Sequence, residues 1–376
     1  MTTKRVAMNL LWCVPGVGGS EEYLVRQLLG LLEITHDYSV EVFAPRGFSQ
    51  RQPHIAKHYT IYEAPNDCSR REVRIAMEHT WLAWRTRSFD MVHHGGGTLP
   101  RIGHSSTLVT IHDIQWTEYP HYVAPLKLRY LKKVVPYAVT HATRIAVPSQ
   151  FVKNTLVEKL NASPHLVGVV RHGLESDLHK SVTPEALLRE KFALGSGPVV
   201  VFPAITHPHK NHVFLLQLLT QATGPWANPS LKVVFAGSAG SHEEVVRTFI
   251  AEHGLSSRVV MPGRVSHEDR NGLLAMADAM AFPSEYEGFG APVIEAMRLG
   301  APVICSDKGS LPEVVGTAGM VCPLTAEAWN SALHNARDQR AEWARKGHER
   351  ALEFTVALSA SDLVQQYDMV MNGGSK

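Results

Sequence analysis

The chain has 376 residues, 44% of them hydrophobic and 19% charged, with 37 Lys plus Arg against 35 Asp plus Glu. That length exceeds what one hydrophobic core usually organises, so two domains are expected. A surplus of two positive charges gives no general nucleic-acid-binding field, and no apolar run approaches the roughly 20 residues of a membrane span.

The first residues, Met-Thr-Thr-Lys-Arg, lead into an apolar stretch, Val6–Trp12, that is too short for a signal segment with a cleavage site. Cys13, Cys68, Cys305 and Cys322 show no paired spacing and read as reduced core thiols, so a cytoplasmic location is expected. Short apolar strand candidates alternate with helical patterns, as in parallel sheets covered by helices. Strands are expected near 5–12, 39–43, 90–93, 107–111, 144–148 and 167–170, then near 198–202, 231–236, 258–261, 279–282 and 302–305. The expected fold is α/β, with two Rossmann-like doubly wound parallel sheets: a first domain over 1–174 and a second over 198–352. The charged, turn-rich segment 175–197 reads as a hinge, and 353–376 has helical spacing with no strand after it. Doubly wound sheets bind ligands beyond the carboxyl ends of their strands, so two such domains facing one another are expected to form a cleft.

The first motif is Pro15-Gly16-Val17-Gly18-Gly19-Ser20-Glu21-Glu22, between a strand and a helix. Glu21 occupies the last glycine position of a dinucleotide fingerprint, which argues against that kind of site. Gly18 and Gly19 let the backbone approach a ligand, and the helix start offers N–H donors; Ser20 is an alternative helix cap. Thr110-Ile111-His112-Asp113-Ile114 ends a strand. His112 at such an edge can donate to a developing alkoxide or contact the transferred sugar, while Asp113 is suited to orient the loop or the imidazole. The segment Leu126-Lys127-Leu128-Arg129-Tyr130-Leu131-Lys132-Lys133-Val134-Val135 mixes basic and apolar residues. It fits an anionic membrane surface or a packed helix with a solvated basic face.

In the second half, Pro203-Ala204-Ile205-Thr206-His207-Pro208-His209-Lys210-Asn211-His212 follows a strand and precedes an apolar helix. The three histidines have no carboxylate or cysteine to complete a ligand set, so no metal is expected. The loop Phe235-Ala236-Gly237-Ser238 would give a flat base or a ribose close access, and Gly263-Arg264-Val265-Ser266 follows the next strand. Finally, Ala279–Phe282 feeds a loop with Glu287, Gly288, Phe289 and Gly290, which opens a helix with Pro292 in its first turn. Gly300 stops that helix. Backbone N–H groups at such a start favour an anion. Glu295, one turn further in, does not, and is suited to sugar hydroxyls.

Residues 283–313 resemble the Glu-x7-Glu signature of retaining nucleotide-sugar glycosyltransferases of family 4, which have the glycosyltransferase-B fold, and residues 203–212 resemble their phosphate-binding segment. The wording is similar to a mannosyltransferase-like subgroup of bacterial polysaccharide assembly, and the resemblance covers nearly the whole chain. It implies catalytic roles for His112, Lys210 and Glu287. It implies donor contacts from Gly18, Gly19, Thr206, His209, Lys210, Gly237, Val265, Glu287, Gly288, Phe289, Gly290, Ala291 and Glu295, with Glu295 on the ribose. It further implies a nucleoside-diphosphate sugar donor (GDP-mannose favoured, UDP-hexose next), a saccharide or lipid-linked acceptor, possible peripheral membrane contact through 126–135, a terminal helix crossing back to the first domain, and no cofactor, metal or nucleic acid. One position departs from the pattern: many members carry Arg six residues before the lysine, where this chain has Ala204. His209 and Thr206 are the candidates to replace that cation. Sugar-nucleotide epimerases or hydrolases and a non-catalytic sugar-nucleotide-binding protein share the architecture, as do pyridoxal-phosphate-dependent phosphorylases.

Overall fold

The computed structural model describes residues 3–16 and 18–373; Val17 of the glycine motif, Met1, Thr2 and residues 374–376 of the terminal segment lie outside the described residues. The chain divides into two compact units, Met1–Gly173 with Thr355–Lys376, and Leu174–Phe354.

The first unit holds seven strands: β1 (Lys4–Asn9), β2 (Tyr38–Ala44), β3 (Ile61–Glu63), β4 (Met91–His94), β5 (Thr107–Thr110), β6 (Arg144–Val147) and β7 (Val167–Val169). They lie in the order β3-β2-β1-β4-β5-β6-β7. All pairs are parallel, with Val6 opposite Val40 on one side and Met91 on the other. Val6, Ala7 and Met8 are fully buried in succession, because helices cover both faces and an unbroken apolar run suits such a strand. The helix Gly19–Leu31 packs beside the terminal helix Val356–Asn372, which begins on a Thr355 cap. That helix is tied to the sheet by Tyr38 Oη donating to Asp368 at 2.6 Å, by Arg171 Nε on Asp362 at 3.1 Å, and by Tyr367 Oη 3.0 Å from His93 Nδ1.

Gly30 makes this helix pairing possible. A Cβ there would stand 2.0 Å from the Val356 carbonyl oxygen, which is backbone and cannot swing away. Gly30→Ala is therefore expected to lower unfolding stability by about 1–3 kcal/mol, the usual range for overpacking. Urea denaturation checks this, and an unchanged midpoint would show the two helices to be less closely fixed.

The second unit holds β8 (Val199–Phe202), β9 (Lys232–Phe235), β10 (Val259–Val260), β11 (Ala279–Phe282), β12 (Val303–Ser306) and β13 (Met320–Cys322). Their order is β10-β9-β8-β11-β12-β13, again all parallel. Each sheet reverses its strand order once, at β1/β4 and at β8/β11. Ligands of such sheets bind outside the carboxyl ends at this reversal.

Three features differ from the sequence expectation. β3 and β13 carry no strong strand signal, because each has three residues and lies at a sheet edge with one neighbour. The segment 175–197 is part of the second unit rather than a separate hinge: Leu188 and Leu194 are fully buried in that core, and Thr183 Oγ1 donates to Asp269 at 2.7 Å. Its short helix, Glu185–Lys191, has too few apolar residues to announce itself.

Burial holds His93, His94, His209 and His212 neutral, with pKa values pushed down to about 3. In the unfolded chain they titrate near 6.5. The unfolded state therefore binds more protons below that value, and the stability these groups contribute is lost as pH falls from about 6.5 toward 3. Glu78 works the other way, since burial raises its pKa. The expected result is a urea midpoint that falls as the pH is lowered from about 6.5 toward 3. A flat profile would mean that these imidazoles are hydrated.

Candidate active site

The second unit builds its site at the β8/β11 reversal. After β8 the chain makes a short 3-10 turn, Pro208–Lys210, and Asn211 takes a left-handed conformation (φ 55°) before the helix His212–Leu219. This geometry turns the Lys210 side chain toward the loop after β11. Its Nζ lies 2.6 Å from Glu287 Oε1 and 5.3 Å from the centre of the Phe282 ring. Both partners are largely buried, with side-chain exposures of 18% and 10%. The two loops are also joined by backbone, Glu285 N–H donating to the His209 carbonyl at 2.7 Å. Lys210 and Glu287, 77 positions apart in sequence, thus form one ion pair.

Glu287 is held from its other side by the loop after β12. Ser310 donates to the Glu287 carbonyl through both its N–H and its hydroxyl, each at 3.1 Å. Ser306 Oγ donates to the Ser284 carbonyl. Gly309 (φ +62°) allows this approach, since a Cβ there would stand 2.7 Å from Glu287 N. These three residues were not legible as site residues from sequence. The one local signal was Gly309-Ser310 in the short turn that follows the buried strand Val303–Ser306.

Gly288, Phe289 and Gly290 continue into the helix Ala291–Arg298, with Gly290 (φ +89°) as its N-cap and Pro292 in the first turn. Phe289 is buried, its ring 5.6 Å from that of Phe354 in an edge-on arrangement, so it anchors the loop in the core. Glu295 is buried on this helix, with Arg270 Nη2 3.5 Å from its Oε2.

Neither candidate for the missing cation serves as one. His209 is neutral, because burial first and the Lys210 charge second push its pKa down to about 3. Thr206 is buried, and its hydroxyl donates to Glu243 Oε2 and accepts from Gly240 N–H, both at 2.7 Å. It pins the loop after β9 to the loop after β8. Ala204 is itself buried, and a Cβ on Gly237 would stand 1.8 Å from its carbonyl oxygen. Gly237 is accordingly explained by close packing. Gly237→Ala is expected to separate these two loops and cost about 1–3 kcal/mol of stability; a thermal melt equal to wild type would contradict that packing role. Val265 is half-buried against the core, in the loop that precedes the Ser266-capped helix His267–Met276.

In the first unit, Gly18 caps the helix Gly19–Leu31 with positive φ (78°). Among the described residues, no atom stands near a Cβ placed on Gly18 or Gly19. The acidic first turn is balanced by cations: Glu22 meets Arg26 at 3.1 Å, and Glu21 meets Arg51 at 3.9 Å. His112 lies just beyond β5, its ring 5.5 Å from Trp12 and 5.4 Å from Tyr23. Its Nε2–H donates to the Gly95 carbonyl at 2.9 Å. Burial lowers its pKa, so the ring is neutral near pH 7, and Nδ1 carries a lone pair rather than a proton. With Nε2 on the Gly95 carbonyl, Nδ1 is the ring nitrogen that can accept a hydrogen bond. Asp113 accepts from Gln115 N–H at 3.0 Å and orients the loop, not the imidazole. Gly95 and Gly96, which the sequence reading passed over, leave room for Leu24 and Trp12 beside His112.

Two doubly wound parallel units, the second with its ion pair at the strand-order reversal, place the chain in the glycosyltransferase-B class. Residues 17–178 match the family described as Glycosyltransferase Family 4, and residues 185–350 match Glycosyl transferases group 1. The chain belongs to these family 4-like glycosyltransferases. It is 29% identical to O-antigen chain mannosyltransferase B of Escherichia coli over 64% of this chain and 63% of that protein. With O-antigen chain mannosyltransferase RfbU of Salmonella typhimurium it shares 26% identity over 65% and 63%. The chain thus spans 63% of the length of each of these two curated relatives. Its fold is that of Anabaena Alr3699/HepE in complex with UDP and glucose, at a TM-score of 0.76, with 19% identity over 97% of this chain and 99% of that one. Thermosynechococcus elongatus sucrose-phosphate synthase gives the same TM-score at 20% identity, over 99% and 100%.

Proposed function

We propose that this protein transfers a hexose, with retention of anomeric configuration, from a nucleoside-diphosphate sugar to a hydroxyl of a saccharide or lipid-linked acceptor. The observation that carries this reading is the Lys210–Glu287 pair at 2.6 Å, at the carboxyl ends of β8 and β11 beside a glycine-capped helix start. Lys210 and the amides of Gly290 and Ala291 are suited to the charge that grows on a departing diphosphate. Glu287 holds Lys210 in line and takes hydroxyls of the transferred sugar, and Glu295 takes those of the ribose. The neutral His112 accepts from a sugar hydroxyl through Nδ1.

The acceptor oxygen attacks the anomeric carbon on the face the diphosphate leaves. The C–O bond to phosphate breaks as the new glycosidic bond forms, and the acceptor proton passes to the departing phosphate oxygen. Because Lys210 and the helix amides supply the positive charge, we propose that no divalent metal is required. Transfer is expected to persist in excess EDTA, and loss of activity restored by Mg²⁺ or Mn²⁺ would overturn that point.

GDP-mannose is the favoured donor and UDP-hexoses come next. The E. coli and Salmonella relatives are mannosyltransferases by name, while the Anabaena structure holds UDP and glucose. Calorimetry with GDP-, UDP-, dTDP- and ADP-sugars tests the reading. Saturable binding of one of them supports it, and binding of none would remove it.

The segment 126–135 forms the start of the helix Pro125–His141. Leu126 is 78% exposed, and Lys127, Arg129, Lys132 and Lys133 are exposed beside it. No described helix is long and apolar enough to cross a membrane. This basic face is proposed to rest on anionic lipid, where each cation near the surface adds about 1 kcal/mol. Replacing the four cations with Gln is expected to abolish co-sedimentation with phosphatidylglycerol vesicles; equal sedimentation would assign the segment to a solvated face.

A further inference from the structure

Arg270 leaves the helix His267–Met276 from a turn fixed on both sides. Asp269 accepts from Lys191 Nζ at 2.5 Å and from Thr183, while Asn271 Nδ2 donates to the carbonyls of Leu178 and Ser181, each at 3.2 Å. With its backbone held in this way, the Arg270 side chain runs inward, 20% exposed, and brings Nη2 to 3.5 Å from Glu295 Oε2. Its Nε and Nη2 are shielded from solvent and take no hydrogen bond among the described residues.

Other partly buried arginines of this unit behave differently. Arg258 donates to the carbonyls of Leu219 and Trp226, Arg340 to those of Ala275 and Ala277, and Arg350 to those of Val314 and Glu313. Those three staple backbone. Arg270 instead sets its Nη2 against a buried carboxylate, 3.5 Å from Glu295 Oε2. Glu295, 3% exposed, needs a cation to stay ionised at that depth. At 3.5 Å, Arg270 places its positive charge beside that carboxylate.

We propose that Arg270 is the positioning residue for Glu295, keeping its carboxylate ionised and aligned on the vicinal hydroxyls of the donor's ribose. The proposal rests on the nucleotide-sugar reading above. Arg270 itself does not touch the sugar being transferred, so its removal acts on nucleotide affinity and on ribose discrimination, not on the rate at saturating donor.

The test is calorimetric titration of wild type, Arg270→Leu and Arg270→Gln with GDP and UDP and their 2′-deoxy counterparts. Thermal melts accompany each variant. Wild type is expected to bind one ribonucleotide about tenfold more tightly than its 2′-deoxy form, the scale of one hydrogen bond to a charged group. Arg270→Leu and Arg270→Gln are each expected to weaken that ribonucleotide about tenfold and the deoxy form less than about threefold, so that the preference nearly vanishes. Equal weakening of both forms would assign Arg270 to general packing and overturn the proposal. A ribose preference kept in both variants would overturn it as well, leaving the donor reading intact. If wild type binds neither GDP nor UDP, the donor reading itself fails and this proposal falls with it.

Discussion

Lys210→Ala is expected to lower turnover by roughly 10²-fold or more, the scale seen when one preorganised charge at a developing anion is lost. The lysine is held by Glu287 at 2.6 Å and lies over the Phe282 ring, so its ammonium is already placed and partly desolvated before any chemistry begins. A cation fixed in a site that excludes water stabilises growing phosphate charge without the reorganisation that water would need. None of the candidate neighbours can take its place. His209 is neutral, Thr206 is engaged with Glu243 and Gly240, and position 204 is a buried alanine. Steady-state kinetics at saturating donor provide the check. Turnover within about threefold of wild type would take Lys210 out of the phosphate role.

Glu287→Gln is expected to cost turnover about 10²-fold as well, with a smaller effect on donor affinity. The substitution keeps the shape but removes the charge that holds Lys210. The loop around residue 287 is clamped by Ser310, so the substituted amide would stay in place and the loss would report charge and not collapse. Steady-state kinetics at saturating donor check this, and turnover within about threefold of wild type would take Glu287 out of the reaction.

The resemblance was carried by residues that meet at one place. Lys210, Glu287, Gly290 and Glu295 all stand on loops and helix starts that follow β8 and β11, and the local chemistry of each was visible: a lysine before an apolar helix, glycines and a proline at a helix start, a carboxylate one turn later. Most buried strands were equally plain, because parallel strands covered on both faces read as apolar runs. What stayed hidden depends on tertiary partners. Whether His112 donates or accepts is decided by the Gly95 carbonyl, and the neutrality of His209 by burial. Gly309 and Ser310 matter only because the loop after β12 presses on Glu287. Arg270, on a polar helix with no motif around it, becomes visible only beside Glu295. The edge strands β3 and β13 and the helix Glu185–Lys191 were too short to leave a periodic signal.

The most direct test of the central claim is the slow release of nucleoside diphosphate from the bound sugar nucleotide in the absence of acceptor, compared between wild type and Lys210→Ala. Wild type is expected to cleave the donor and the variant to do so about 10²-fold more slowly, with both proteins showing the same thermal melt. Equal rates in the two, or binding with no cleavage even when acceptors are supplied, would contradict the assignment of donor activation to the Lys210–Glu287 site.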